Sequence, residues 1–285
     1  MEMGISGTFL KNVKDGTRLR FKKIFHNPYR KVNINWIYLK YLKHIPPGGT
    51  YHHRLFHKTV WFHRGSEYLH GIREIFLDEI YKQSLPDKPF IIDCGANIGL
   101  SVIYLKQNYP DAQIIAFEPD EQNFELLSRN IASFGFNDVV LREEAVWIED
   151  TTLYFSNQGS MGSKVVSDPG VNFKEVRAVR LKNFLNRRID FLKIDIEGAE
   201  YRVVNDLGDN LRFVQNLFIE YHGDFNQNSE LTNLLNLITA QGFNFYIKEA
   251  ASVYNTPFYR TRSELIQYDI QLNIFCFRLN EKAKG

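Results

Sequence analysis

The stretch Phe90-Ile91-Ile92-Asp93-Cys94-Gly95-Ala96-Asn97-Ile98-Gly99 decides how the chain is read. Apolar residues run into an acid and then into a glycine-bearing loop. Leu100-Ser101-Val102-Ile103-Tyr104-Leu105 follows, with the composition of the first turns of a helix. A short apolar strand, a glycine turn and a helix together open an α/β ligand site. Glycine lets backbone approach a partner closely where a Cβ would collide.

Two ligand classes compete for such a loop. A dinucleotide asks for Gly-x-Gly-x-x-Gly, with pyrophosphate on the helix N-terminus. Here Asn97 stands where the second glycine belongs, and Asp93 closes the strand. A carboxylate there repels pyrophosphate and disfavours a nicotinamide oxidoreductase. It suits a ligand with positive charge and no phosphate. S-adenosylmethionine, with its ammonium and sulfonium, is such a ligand.

A chain of 285 residues with 44% hydrophobic content can bury a large α/β core. Its net charge of +2 hides an asymmetry. Residues 1–64 hold thirteen Lys and Arg against Glu2 and Asp15, a balance of +11; the remainder carries −9. We therefore divide the chain into a basic, aromatic extension, 1–64, and a catalytic domain, 65–285. Cys94 and Cys276 are the only cysteines, too few for a disulfide framework or a zinc site. No apolar run of about 18 residues or signal core appears, so a cytoplasmic protein is expected.

Along the chain, Asn35 to Leu42 is expected to be an amphipathic helix stopped by Pro46-Pro47-Gly48-Gly49. Tyr51 to Phe62 reads as short strands or a hairpin. Glu67 to Tyr81 has helical spacing in Leu69, Ile72, Ile75, Phe76, Leu77 and Ile80. From Phe90, strands alternate with helices: Ile114–Phe117, Asp138–Arg142, Thr151–Phe155, Ile189–Asp195 and Leu217–His222 are strands. Asp120 caps one helix and Gly135 closes it. Another helix runs from Ser229 to Gly242, and Phe243–Ile247 pairs with Asn273–Leu279. This alternation predicts a mostly parallel sheet with helices on both faces.

Strand ends in such a sheet face the ligand crevice. Glu118 follows the second strand at a spacing suited to an acid that accepts from ribose hydroxyls. Otherwise it is a helix-start acid before Pro119. Glu144 and Ala145 lie where adenine is expected, Glu144 as acceptor from its amine and Ala145 through backbone. Asp195-Ile196-Glu197-Gly198-Ala199-Glu200 carries acids that need solvent, a partner or a function. Lys193, inside its strand, needs a carboxylate partner if buried. His222 has the ordinary pKa of a base near neutral pH, with Asp195 as its helper. Asp195, Glu197, Glu220 and His222 also have the composition of a hard-cation site; an acid-rich sheet edge needs no metal, and none is assigned. Gln158-Gly159-Ser160-Met161-Gly162-Ser163 reads as a lid or an ordinary surface loop.

Taken together, Asp93-x-Gly95-Ala96-Asn97-x-Gly99, Phe117-Glu118-Pro119 and Asp190-Phe191-Leu192-Lys193-Ile194-Asp195-Ile196-Glu197-Gly198-Ala199-Glu200 resemble the FkbM-type methyltransferases. The match spans about Phe90 to His222, and more weakly to Gly242. The resemblance implies a class I, Rossmann-like α/β fold with a seven-stranded sheet, and S-adenosylmethionine as cofactor. It also implies O-methylation of a sugar or natural-product hydroxyl. By it, Asp93, Gly95, Asn97 and Gly99 line the methionine end of the donor, together with Ala96 of the same loop. Glu118 holds the ribose, and Asp195 and Glu197 stand at the active-site rim. The expected partner is a small-molecule or saccharide acceptor. No nucleic acid is expected, since no recognised motif accompanies the basic charge. An alternative makes residues 1–64 a binding module for an anionic glycan or membrane surface, or an oligomer contact.

Overall fold

In the computed structural model, which describes residues 27–46, 48–156, 173–260 and 267–279, the chain divides into two compact units, Met1–Lys82 and Gln83–Gly285.

In the first unit, Asn35 caps helix α1 (Trp36–His44), its side-chain oxygen accepting from the Tyr38 amide at 2.8 Å. Strands β1 (Tyr51–Leu55) and β2 (Lys58–Phe62) form the expected antiparallel hairpin. Phe56 and His57 make its turn with φ of 49° and 66°, the left-handed geometry that matches strand twist in two-residue hairpins. Helix α2 (Gly65–Gly71) passes into a π-helical turn, Ile72–Leu77, where the periodicity predicts one continuous α-helix. Val32, Ile34, Leu42, Leu55, Val60, Phe62, Tyr68 and Ile72 are buried together as a core. The Phe62 and Tyr68 rings stack at 4.1 Å, and the Tyr68 hydroxyl bonds His53 Nδ1 at 2.7 Å. The division falls after Lys82, not after Arg64 as charge alone suggests. The reason is that α2 packs on α1, and the π turn packs on the short 3-10 helix Pro28–Val32. On α1, Trp36, Ile37 and Tyr41 remain exposed beside Lys40.

The second unit opens with β3 (Phe90–Cys94), helix α3 (Leu100–Asn108), β4 (Gln113–Phe117), helix α4 (Glu121–Phe134) and β5 (Val139–Arg142). Asp120 caps α4 by accepting from the Asn123 amide at 3.0 Å, and Gly135 ends it at φ 74°. Then come β6 (Ala145–Trp147), β7 (Thr151–Ser156) and β8 (Phe173–Arg180), which make a small sheet in the order β6-β8-β7. Strand β8 is not evident in the sequence, because Lys174, Glu175 and Arg177 are interleaved with the buried Val176, Ala178 and Val179. Next are β9 (Ile189–Ile194), helix α5 (Glu200–Leu207), β10 (Val214–Gly223), helix α6 (Asn228–Ala240), β11 (Asn244–Glu249) and β12 (Ile270–Phe277). The main sheet has seven strands in the order β11-β12-β10-β9-β3-β4-β5. Its pairings are parallel except those of β12, which runs antiparallel to both neighbours.

This is the mostly parallel α/β sheet of the class I methyltransferase fold. Strand β9 is buried along its whole length, as a parallel strand covered on both faces must be. The sheet brings the C-terminal ends of β4, β3, β9 and β10 side by side, which is where open α/β sheets bind ligands. The Gln158–Ser163 loop lies outside the described residues. No described helix is long and apolar enough to cross a membrane.

Candidate active site

The loop after β3 is stitched to the strand ends on either side. Gly95 N and Ala96 N both donate to Phe117 O, at 3.0 and 2.9 Å, and Asp195 N donates to Cys94 O at 3.1 Å. Gly95 has φ +83°, and a Cβ there would lie 1.8 Å from the Asp195 carbonyl oxygen. At Gly99, φ +89°, a Cβ would lie 2.7 Å from Leu127 Cδ1. The two glycines thus make room for neighbouring protein, a strand end and helix α4. Asn97, at φ 48°, is the exposed tip of the loop. Buried Asn130 of α4 fixes the loop by donating to Ile98 O at 2.8 Å, a role only the fold reveals.

Asp93 is 0% exposed. Ser101 Oγ donates to its Oδ2 at 2.5 Å, and Lys193 Nζ lies 3.3 Å from its Oδ1. Lys193 stands opposite Asp93 in the β3–β9 register. It also reaches Asp195 Oδ2 at 3.1 Å and donates to Gly95 O at 2.8 Å. The partner expected of a buried lysine is therefore Asp93 together with Asp195. A fully buried carboxylate must be paired and hydrogen-bonded. Asp93 Oδ2 is hydrogen-bonded by Ser101, while its Oδ1 meets Lys193 as an ion pair without a hydrogen bond.

Glu118 ends β4 and turns its carboxylate toward the same loop. Its Oε2 accepts from Asn97 N at 2.7 Å and its Oε1 from Asp120 N at 3.0 Å. Burial pushes its pKa up to about 7, against the two backbone bonds and Lys193, which lower it, while Asp120 adds a smaller rise. Glu144 departs from its expected part. Its Oε2 pairs with Arg142 Nε at 2.5 Å and its Oε1 with Arg177 Nε at 3.1 Å. With both oxygens held by guanidinium groups, it ties β5 to the small sheet rather than standing ready for an adenine amine. Ala145 is buried in β6 opposite Ala178.

Beyond β9, Glu197 takes a left-handed φ of 56° and Gly198 one of 95°. The turn is held by Glu200, whose carboxylate accepts from Ile196 N and Gly198 N, and by Tyr268, whose hydroxyl donates to Glu197 O at 2.5 Å. Glu200 is fully buried and also meets His222, Oε1 to Nδ1 at 3.1 Å. The helper of His222 is therefore Glu200, not Asp195. Burial alone would lower the His222 pKa. The hydrogen bond and charge of Glu200, then Glu197 and Asp195, outweigh it and push the value up to about 9. The surrounding carboxylates thus favour the protonated form of the ring, in which it donates rather than accepts. His222 Nε2 faces Glu220 Oε1 at 3.7 Å and Glu197 Oε2 at 3.9 Å, and its ring packs on Tyr268 at 4.9 Å. The structure thus gathers Asp195, Glu197, Glu220 and His222, and adds Glu200 and Tyr268.

The methyltransferase FkbM domain matches residues 93–245, more than half of the chain. The chain belongs to the FkbM methyltransferase family. It is 30% identical over 190 residues to Methyltransferase 1 of Beauveria bassiana, covering 56% of this chain and 76% of that protein. Methyltransferase sdnD of Sordaria araneosa is also 30% identical over 190 residues, covering 52% of this chain and 72% of its own. Among solved structures, methyltransferase FkbM from Methylobacillus flagellatus superposes with a TM-score of 0.46 at 15% identity. That alignment covers 68% of this chain and 44% of the other.

As an FkbM methyltransferase, the chain takes its methyl group from S-adenosylmethionine. The residues at the crevice fit such a donor. Glu118 and Asp195 flank the β3 loop, one after each neighbouring strand. Carboxylates accept from hydroxyl and ammonium donors and favour a cationic ligand. A carboxylate oxygen holding one backbone N–H, as each oxygen of Glu118 does, retains capacity for another donor.

Proposed function

We propose that this FkbM methyltransferase methylates a hydroxyl of a neutral, polyhydroxylated acceptor, such as a sugar, glycan or related metabolite. The observation that supports this reading is the acceptor-rich rim beside the donor loop. Asp195, Glu197 and Glu220 gather at the ends of β9 and β10, with buried Glu200 behind them. Such a rim receives hydroxyl donors and repels phosphate or carboxylate groups. The bound donor supplies a methyl already activated by its sulfonium. The chain's own work is mainly alignment, with proton removal as a smaller addition.

In this reading the backbone of Gly95, Ala96, Asn97 and Gly99 lines the methionine end of the donor. Asp93 positions that loop, Glu118 accepts from the ribose, and Ala145 borders the adenine. Glu197, on the rim beside His222, receives the acceptor proton. Asp195 orients the acceptor, and His222 with Glu200 sets the field around it. The test is incubation with labelled donor and a panel of neutral sugars, sugar phosphates and amines, followed by mass spectrometry. Methylation of hydroxyls on neutral sugars is expected, with Glu197→Gln slowing turnover about 10²-fold. Transfer only to amines or only to phosphorylated acceptors would overturn the reading.

The placement of Glu118 makes a pH prediction. The ribose hydroxyls need an ionised acceptor, and Glu118 loses its charge below about 7. Donor affinity should therefore weaken as pH falls through neutrality, and Glu118→Gln should flatten that dependence in titration calorimetry. A pH-independent wild-type affinity would remove Glu118 from the ribose. The sign for folding is opposite. Because the folded value lies above the ordinary 4.5, this group supports the folded state at acid pH and loses that contribution as pH rises to about 7.

A further inference from the structure

Three side chains at the ends of β9 and β10 converge. Asp195, Glu220 and His222 each bring one ligand atom into a group whose members lie within 4.8 Å of one another. We propose that these three residues form a binding site for a single divalent cation of the manganese class, with open positions for an acceptor hydroxyl. The inference deepens the hydroxyl-methylation reading and rests on it for the second ligand, though not for the cation.

The geometry of His222 carries the argument. The residue is only 7% exposed. Its ring is fixed from behind by fully buried Glu200, which engages Nδ1 at 3.1 Å. That leaves Nε2 directed at Glu220 and Glu197, at 3.7 and 3.9 Å, beyond hydrogen-bond reach of either. A cation that takes Nε2 as its ligand displaces the ring proton, as metal binding at histidine does, and finds the carboxylates of Glu220 and Asp195 within reach. A carboxylate behind the non-ligating nitrogen is the arrangement that orients metal-binding histidines, and Glu200 is outside the ligand set.

Charge favours the same occupant. Asp195, Glu197, Glu200 and Glu220 stand against His222 and a Lys193 that is shared with Asp93. Lys193 touches Asp195 through Oδ2, and a carboxylate has a second oxygen for coordination. Two carboxylates and one imidazole form a mixed oxygen and nitrogen set. It is too nitrogen-rich for a calcium cage and lacks the thiolates of structural zinc. Manganese accepts both donor types and keeps exchangeable positions. A hydroxyl bound to such an ion is acidified.

The test uses the full chain, stripped with chelator and titrated with manganese chloride alone. Calorimetry should show one saturable site per chain. Asp195→Asn and Glu220→Gln should each weaken it at least tenfold, and Glu200→Gln about 10- to 100-fold through lost orientation. Glu121→Gln, an exposed acid on α4, should bind as wild type. Should a site variant melt early, pulsed electron paramagnetic resonance of the wild-type manganese complex decides, since it should show coupling to a histidine nitrogen. Absence of saturable binding, or of that nitrogen coupling, would overturn the site. Hydroxyl methylation that persists in chelator leaves the functional reading standing and removes the cation from it. Manganese binding without transfer to any hydroxyl does the reverse.

Discussion

Lys193→Met is expected to destabilise the protein by roughly 3–5 kcal/mol near neutral pH, read as a lower urea midpoint. The substitution keeps an unbranched apolar side chain in β9 and removes only the ammonium. Asp93 then keeps Ser101 and loses Lys193, at a position with no exposed surface. An uncompensated buried carboxylate answers by taking up a proton. The variant should therefore be least impaired at acid pH, where an unpaired buried carboxylate can be neutral. The double substitution Asp93→Asn with Lys193→Met should recover much of the loss, because the uncompensated charge is gone. A double variant no more stable than Lys193→Met would show that packing, not charge, fixes this lysine.

Gly95→Ala should be nearly as damaging, at roughly 3 kcal/mol or more, with donor binding lost. Two costs combine. An alanine at φ +83° meets the left-handed penalty of about 1–2 kcal/mol. Its Cβ also falls 1.8 Å from a backbone oxygen, and the Asp195 carbonyl cannot rotate away as a side chain would. Moving it strains the bond from Asp195 N to Cys94 O and the rim beyond. Gly99→Ala is the internal control. It shares the positive φ, but its Cβ collides with the flexible end of Leu127 and meets Ile131 only at ordinary contact distance, with no backbone atom in the way. Equal urea midpoints for the two variants would refute the collision argument.

The sequence makes the core of the sheet legible because parallel strands buried on both faces leave continuous apolar runs, as in Phe90–Cys94 and Ile189–Ile194. Glycine, proline and Asp120 mark their ends. Strand β8 escapes because charged residues alternate with its buried ones, and such a run resembles a loop. The candidate site is legible as a set of residue types and far less so as contacts. Lys193 announces its need for a carboxylate from inside an apolar strand. Nothing local shows that Glu144 is held by Arg177, which comes from a different strand of another sheet. Likewise Glu200 has the position of an ordinary helix-start acid. Only the fold reveals it facing inward to bind His222, where its charge favours the protonated ring.

Strand β12 sits between β10 and β11, so the sheet is not built in the order in which the chain is made. On a ribosome, β10 emerges with one edge unpaired, and β11 has no neighbour to join. Both wait until Phe277 leaves the exit tunnel, roughly 3–10 s after Gly223 at ordinary translation speed. During that interval a long apolar strand edge is open to other nascent chains. Arg278 follows at once and locks the late strand down, donating to Val214 O, Gln241 O and Leu211 O at 3.0, 2.7 and 3.0 Å. The sheet of this domain is therefore completed only once β12 is available. Any stop before β12 leaves five paired strands with an open β10 edge and an unpaired β11, a substrate for chaperones and proteases rather than a shortened enzyme.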